Sequence, residues 1–171
     1  MRGTRHILSA IAGLCMALAL AGCGTTKETA GEAPAMSPLS AMAQKPAPVK
    51  GAEARFAFAP ISGPPVDVLR TMSAALNKEA KAHKLNVVPT GDPSAIYEVR
   101  GYLSAVDDHT KATLVYVWDV FDATGIRLHR ISGQLSAEPA ADGDPWTGVD
   151  QGAIDTAAKR SIAALAKWAG A

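Results

Sequence analysis

The chain has 171 residues, 17 basic against 16 acidic, with 48% apolar and 5% aromatic residues, which fits one ordinary domain plus additional chain and excludes a multidomain assembly. Its formal charge of +1 is spread along the sequence without a block of like charges. No basic footprint for nucleic acid results, so nucleic acid is excluded as a partner.

Arg2 and Arg5 precede Ile7 to Ala21, a run in which Ser9 is the one polar residue. This pattern predicts a secretory signal peptide over residues 1–22. The run is shorter than the about 20 apolar residues a spanning helix needs. It ends in Leu20-Ala21-Gly22-Cys23, which resembles the lipobox of bacterial lipoproteins. Small residues at Ala21 and Gly22 fit a peptidase, and the Cys23 thiol is the nucleophile able to take a diacylglyceryl group as a thioether. The resemblance implies lipidation at Cys23, with anchoring through acyl chains worth about 0.8 kcal/mol per buried methylene. Gly24 rather than Asp after that cysteine implies sorting to the outer membrane, on its periplasmic face. Cys15 lies inside the apolar run and leaves with it.

Removal of residues 1–22 lowers the basic count from 17 to 15 against 16 acids. The formal charge becomes −1, so contact with the membrane is expected to run through covalent lipid. No cysteine follows Cys23, which leaves the mature chain without an intrachain disulfide or thiolate chemistry.

From Cys23 to residue 54 the chain carries Pro34, Pro38, Pro46 and Pro48, many alanines and no aromatic residue, whereas the nine aromatics lie between Phe56 and Trp168. Such a composition cannot bury enough apolar surface to offset ordering its backbone. A lipidated cysteine and disordered tether over 23–54, then a globular domain over 55–171, is the expected organisation.

Within that domain Arg55 to Ser62 alternates as a first strand, broken by Gly63-Pro64-Pro65. Leu69, Met72, Leu76 and Ala80 recur at three- and four-residue steps and predict a helix from Pro65 to about Lys84. Leu85 to Thr90 is a short strand ended by Gly91-Asp92-Pro93. Ala95 to Asp107 alternates, with Tyr97, Val99, Gly101, Leu103 and Ala105 on one face and Glu98, Arg100, Tyr102 and Ser104 on the other. After a polar loop, Ala112 to Phe121 is apolar on both faces apart from Thr113 and Asp119, as a central strand should be. Asp122 to Gly125 is turn chemistry, leading to a strand over about Ile126 to Ala137, with His129, Ile131, Gly133 and Leu135 on one face. The Asp144-Pro145 pair predicts the start of a final helix reaching about Ala169, with Ile154, Ala158, Ile162, Leu165 and Trp168 as its stripe.

The order β-α-β-β-β-β-α predicts an α+β two-layer sandwich with a mostly antiparallel sheet and both helices on one face. Within Asp92 to Gly133, the stretches Asp-Pro-Ser-Ala-Ile-Tyr-Glu-Val-Arg-Gly-Tyr-Leu-Ser and Val-Tyr-Val-Trp-Asp-Val-Phe-Asp-Ala-Thr-Gly resemble a pattern of the TolB N-terminal domain and the related LpoB and CsgG lipoproteins. There, a strand ending in Gly-x-Leu/Ile precedes one closed by an Asp-x-x-Gly turn. The resemblance implies a preceding β-α-β unit and a terminal helix, and transfers no binding residue.

Nucleotide, serine-hydrolase and zinc-protease motifs are absent from the sequence. His83, His109 and His129 stand at no ligand spacing from one another, and Asp142-Gly143-Asp144 lacks the later ligands of a calcium loop. No catalytic residue, metal or cofactor is therefore expected. Catalysis would gain weight only if the fold brought two of Asp107, His109, Asp119 and His129 together in a cleft.

The sharper signal is surplus apolar surface. With both helices on one sheet face, the central strand sends either Leu114, Tyr116 and Trp118 or Val115, Val117 and Phe121 to the opposite face, and Tyr102 and Leu128 extend that patch. Tyr102, Tyr116, Trp118 and Trp146 are the candidate partner-binding residues, as aromatic anchors. Trp146 has an alternative role in pinning its loop to the sheet. The expected function is a non-enzymatic adaptor held at the outer membrane for an envelope protein. The alternative is an auxiliary lipid or small-ligand binder of an envelope transport system, which requires an apolar cavity between sheet and helices.

Overall fold

The computed structural model describes residues 45–171 apart from 109 and 142. The signal peptide, Cys23, the chain up to residue 44, His109 and Asp142 lie outside the described residues. The elements are β1 (Arg55–Phe58), α1 (Val66–Ala82), β2 (Asn86–Val88), β3 (Tyr97–Asp107), β4 (Ala112–Asp122), β5 (Arg127–Ser136) and α2 (Gln151–Ala169). Among the described residues no helix is long and apolar enough to cross a membrane.

The five strands form one sheet in the order β2-β1-β3-β4-β5. β1 runs parallel to both β2 and β3 through short pairings, as the β1-α1-β2 crossover requires. The long strands β3, β4 and β5 form an antiparallel meander. The fold is α+β, with a sheet that is mostly antiparallel by paired length.

Core-facing residues follow the two-residue period of the strands. Phe56, Tyr97, Val99, Leu103, Leu114, Tyr116, Trp118 and Val120 are buried with residues of both helices in one apolar cluster. α1 contributes Val68, Met72, Ala75, Leu76 and Ala80; Leu69, read from the periodicity as part of this stripe, is half-buried at its margin. α2 contributes a face rich in small residues, Ala153, Ala157, Ala158, Ala166 and Ala169, beside Ile154, Ile162 and Leu165. These alanines permit the close side-by-side packing of α1 and α2, because small side chains let helix axes approach.

Two details of the sequence reading change. Asp144 and Pro145 open a short 3-10 turn (Pro145–Gly148), in which Asp144 accepts from the Trp146 N–H. The long helix starts six residues later, where the Asp150 carboxylate accepts from the Ala153 N–H at 2.7 Å, a regular N-cap. Its end is set by Gly170, at φ 68°. The second change is in β5. A register shift opposite Val120 and Phe121 sets Arg127 to His129 against those two residues, a bulge with one extra residue. Leu128 is thereby carried into the core at 4% exposure and is not part of the outer patch.

Residues 45–54, which composition assigns to the tether, pack onto the domain. Ala47 and Ala54 are buried in the core cluster. The Lys45 N–H donates to the Leu128 carbonyl at 2.9 Å, and Trp168 Nε1–H donates to the Lys45 carbonyl at 2.8 Å. Tyr97 Oη accepts from the Val49 N–H at 2.7 Å and donates to the Val49 carbonyl at 2.8 Å. This strap lies against an aromatic series in which Tyr97 stacks on Phe56 and meets Trp168 edge-on, while Trp168 stacks on His129.

Candidate functional site

The register of the meander fixes which side chains share the face of the sheet opposite the helices. Its rows across β3, β4 and β5 are Glu98–Phe121–Arg127, Arg100–Asp119–Arg130, Tyr102–Val117–Ser132, Ser104–Val115–Gln134 and Val106–Thr113–Ser136. Two charged rows therefore adjoin rows carrying Tyr102, Val117, Val115 and Val106. Tyr102 is 45% exposed and Val106 55%, and Val115 and Val117 are half-buried. An uncovered antiparallel face ordinarily alternates to polar residues, so this is an apolar strip in an unusual place.

The sequence left open which half of β4 faces outward, and the structure selects Val115, Val117 and Phe121. Tyr116 and Trp118 are corrected accordingly: at 4% and 2% exposure they belong to the core and cannot anchor a partner. Trp118 Nε1–H donates to Ser161 Oγ on α2 at 2.8 Å, and Ser161 Oγ donates in turn to the Ala157 carbonyl at 2.7 Å. The indole hydrogen bond is thus satisfied internally, as a buried tryptophan requires. Trp146 is half-buried against the core cluster, its backbone N–H bound to Asp144 Oδ1 at 3.0 Å. Of the four candidate anchors, Tyr102 alone stands on the open face. Cys23 lies outside the described residues.

Sequence reasoning missed the guanidinium groups beside Tyr102. Arg130 grips Asp119 with two parallel bonds, Nε to Oδ1 and Nη2 to Oδ2, both 2.6 Å. Arg127 Nη1 lies 3.7 Å from Asp119 Oδ1. Across β4, Arg100 bonds Glu98 at 2.6 Å and lies over the Phe121 ring, 4.3 Å from its centroid, a cation–π contact. The Asp119 side chain is 6% exposed, whereas those of Arg130 and Arg100 are 29% and 44% exposed. The hydrogen bonds to Asp119 and Glu98 hold Arg130 and Arg100 even more firmly in the charged form. The signal available in the sequence was the alternation of β3 and β5, which, once the hairpins are in register, brings Arg100 and Arg130 to either side of Asp119.

Beside Arg100 lies a hollow of about 600 Å³, with Ala57 and Ala59 among its lining and the turns containing Asp92 and Asp122 at its sides. Both carboxylates are spent on their own turns, Asp92 on the Ser94 N–H and Asp122 on Thr124 and Ile126. Those hydrogen bonds hold both below the usual carboxylate range. A second concavity of about 530 Å³ opens between α1 and the β1–β2 edge, lined by Phe58, Leu69, Leu76 and Val87 with Ser73 and Asn77.

Asp119 and His129 are separated, and His109 lies outside the described residues. His129 is 8% exposed on the helix side, stacked on Trp168 at 5.1 Å, while Asp119 is on the opposite face. Burial pushes the His129 imidazole below its ordinary pKa, and its Nδ1 has no hydrogen-bond partner. Among the described residues no group of three His, Cys, Asp or Glu side chains is placed to hold a metal ion.

No protein-family model matches the chain, and no curated protein matches it. Among solved structures it is similar to a variant of PelC from Paraburkholderia phytofirmans, a dodecamer. That likeness has 12% identity and a TM-score of 0.47, covering 71% of this chain and 93% of the other. A second PelC dodecamer from the same organism gives 9% identity and a TM-score of 0.44, over 66% and 91%. The hypothetical protein CT253 from Chlamydia trachomatis gives 10% and 0.41, over 68% and 96%. At these values the likenesses carry no argument about what this chain does.

Proposed function

We propose that the chain is a non-enzymatic lipoprotein of the outer membrane, held at its periplasmic side through Cys23, that recruits an envelope protein to the helix-free face of its sheet. The observation carrying this reading is the strip of Tyr102, Val106, Val115 and Val117 on an uncovered sheet face. Tethering supports such a role by raising the local concentration of the domain near a membrane-bound partner. Because the strap holds residues 45–54 on the domain, the spacer between anchor and domain shortens to residues 24–44. At about 3.1 Å per residue its full reach is on the order of 65 Å.

The docking reading is tested with Tyr102→Asp and Val117→Asp combined. Both sites face away from the core, so circular dichroism should report an intact fold while co-purification of an envelope partner with the lipidated protein is lost. Undiminished co-purification rejects the reading. The anchor is tested by mass spectrometry of the mature N-terminus: a diacylglyceryl-modified Cys23 is expected, and Cys23→Ala should accumulate as unprocessed precursor.

A second reading, a binder of a small apolar ligand, draws support from the concavity between α1 and the β1–β2 edge, whose volume and mixed lining suit such a ligand. Leu69→Trp, which fills it from α1, would abolish ligand retention under this reading and leave partner recruitment unchanged under the first.

A further inference from the structure

On the helix-free face the two charged rows hold three arginines against two acids: Glu98 is 45% exposed but bonded to Arg100, and Asp119 lies almost wholly covered. Asp119, the acid central to the two charged rows, is 4% exposed beneath the arginines that flank it. Two of the guanidinium groups are already fixed, Arg130 by its two bonds to Asp119 and Arg100 by Phe121 and Glu98, while Arg127 approaches Asp119 at 3.7 Å. The conformational cost that flexible basic side chains meet on binding is therefore largely met before any partner arrives. A guanidinium has five N–H donors in a planar fork; the contacts to Asp119 use Nε and Nη2 of Arg130, and the contact to Glu98 uses Nε of Arg100. The chemistry that completes such a row is a planar acceptor anion, a carboxylate above all.

What adjoins the row narrows the choice. Tyr102 is next to Arg100 along the same face of β3, and Val117 precedes Asp119 by two residues on the same face of β4. A purely anionic surface would gain nothing from these apolar neighbours. An acidic peptide segment alternating carboxylate and apolar side chains satisfies both halves at once.

We infer that Arg100, Arg130 and Arg127, with Tyr102 and Val117, form a recognition site for an acidic, partly apolar segment of the partner protein. This rests on the reading of the helix-free face as the docking surface, and it adds the partner's chemistry. Carboxylates seat on the arginines and aliphatic side chains on Tyr102 and Val117.

The test titrates full-length protein with a synthetic peptide of alternating Val and Glu, with its Val–Lys counterpart, and with phosphatidylglycerol or phosphatidylcholine vesicles. The Val–Glu peptide should bind and the Val–Lys peptide should not, with affinity falling as salt is raised. Arg100→Gln should weaken binding by about tenfold. The double variant Asp119→Asn/Arg130→Gln removes the buried charge together with its partner, so that folding survives, and should weaken binding similarly. Equal binding of the two peptides, or no effect of Arg100→Gln in a folded protein, overturns the inference. So does arginine-dependent recruitment to phosphatidylglycerol over phosphatidylcholine vesicles without peptide binding, which would assign the face to an anionic lipid surface. If Tyr102→Asp/Val117→Asp still abolishes partner recruitment while Arg100→Gln is silent, the docking reading stands and the acidic partner falls. If both are silent, both fall.

Discussion

The ring of Trp118 lies across Gly101 on the neighbouring strand, so close that a Cβ at Gly101 would sit 2.1 Å from Trp118 Cζ3. Tyr116 covers Gly133 on its other neighbour in the same way, with its hydroxyl oxygen 2.3 Å from a hypothetical Cβ. Each glycine is the slot that lets a large ring of the central strand lie flat beneath the helices, and Ser161 then fixes the indole from above. Gly101→Ala is expected to destabilise the domain by about 2 kcal/mol through overpacking, read as a lower urea midpoint with an unchanged m-value. Tyr116→Phe should not rescue Gly133→Ala, because the ring carbon Cζ would still lie 2.4 Å from the new Cβ.

A second prediction concerns the end of α1. Lys84 has φ 56°, the one described non-glycine residue with positive φ, and its neighbours close the helix through Leu85 N–H to the Ala80 carbonyl. A Cβ is unfavourable in that left-handed conformation. Lys84→Gly should therefore stabilise the domain by about 0.5–1 kcal/mol, visible as a rise of about 3 °C in Tm. A fall in Tm would mean that the Lys84 side chain contributes more than its backbone costs.

The strap supplies a third. A chain beginning at Lys45 should fold with full stability. One beginning at Arg55 loses the buried Ala47 and Ala54 and strands the Tyr97 hydroxyl and Trp168 N–H, which bond Val49 and Lys45. Tyr97→Phe in the longer chain isolates one part of that loss, at about 1–2 kcal/mol. Equal urea midpoints for the two chains would show that the strap is ornamental.

Acid should expose His129. Burial lowers its folded-state pKa, so below about pH 6.5 the unfolded chain binds a proton that the folded chain resists, and stability falls as pH falls. This contribution is complete above the unfolded pKa and declines toward the depressed folded value. His129→Phe keeps the stack on Trp168 without a titrating group, and should flatten the dependence between about pH 7.5 and pH 5. The lowered pKa values of Asp92, Asp108 and Asp122 act in a separate window, below the ordinary carboxylate value, and persist in the variant.

Much of the fold was legible because β3 and β5 alternate and both helices carry clear stripes. β4 was ambiguous for a physical reason: with apolar residues at both phases of a two-residue period, alternation alone cannot say which half meets the helices. The deciding feature was the pairing of Gly101 and Gly133 with Trp118 and Tyr116, which the sequence contains but which becomes readable only in register. The strap escaped notice because Ala47, Val49 and Ala54 look like spacer composition, and their partners Tyr97, Leu128 and Trp168 are far away in sequence. Arg100 and Arg130 read as ordinary wet-face residues on separate strands. Only the hairpins on either side of β4 bring them around a buried Asp119.

The central claim, that the helix-free face engages a partner, is tested most directly by a photo-crosslinking amino acid placed at Tyr102 in the lipidated protein within intact cells. Val66, 70% exposed at the start of α1, serves as the matched control. The account predicts a discrete adduct from position 102 that is absent from position 66 and is suppressed by Arg100→Gln. Equal crosslinking from both positions, or none from position 102 in cells where the protein is folded and anchored, would contradict it.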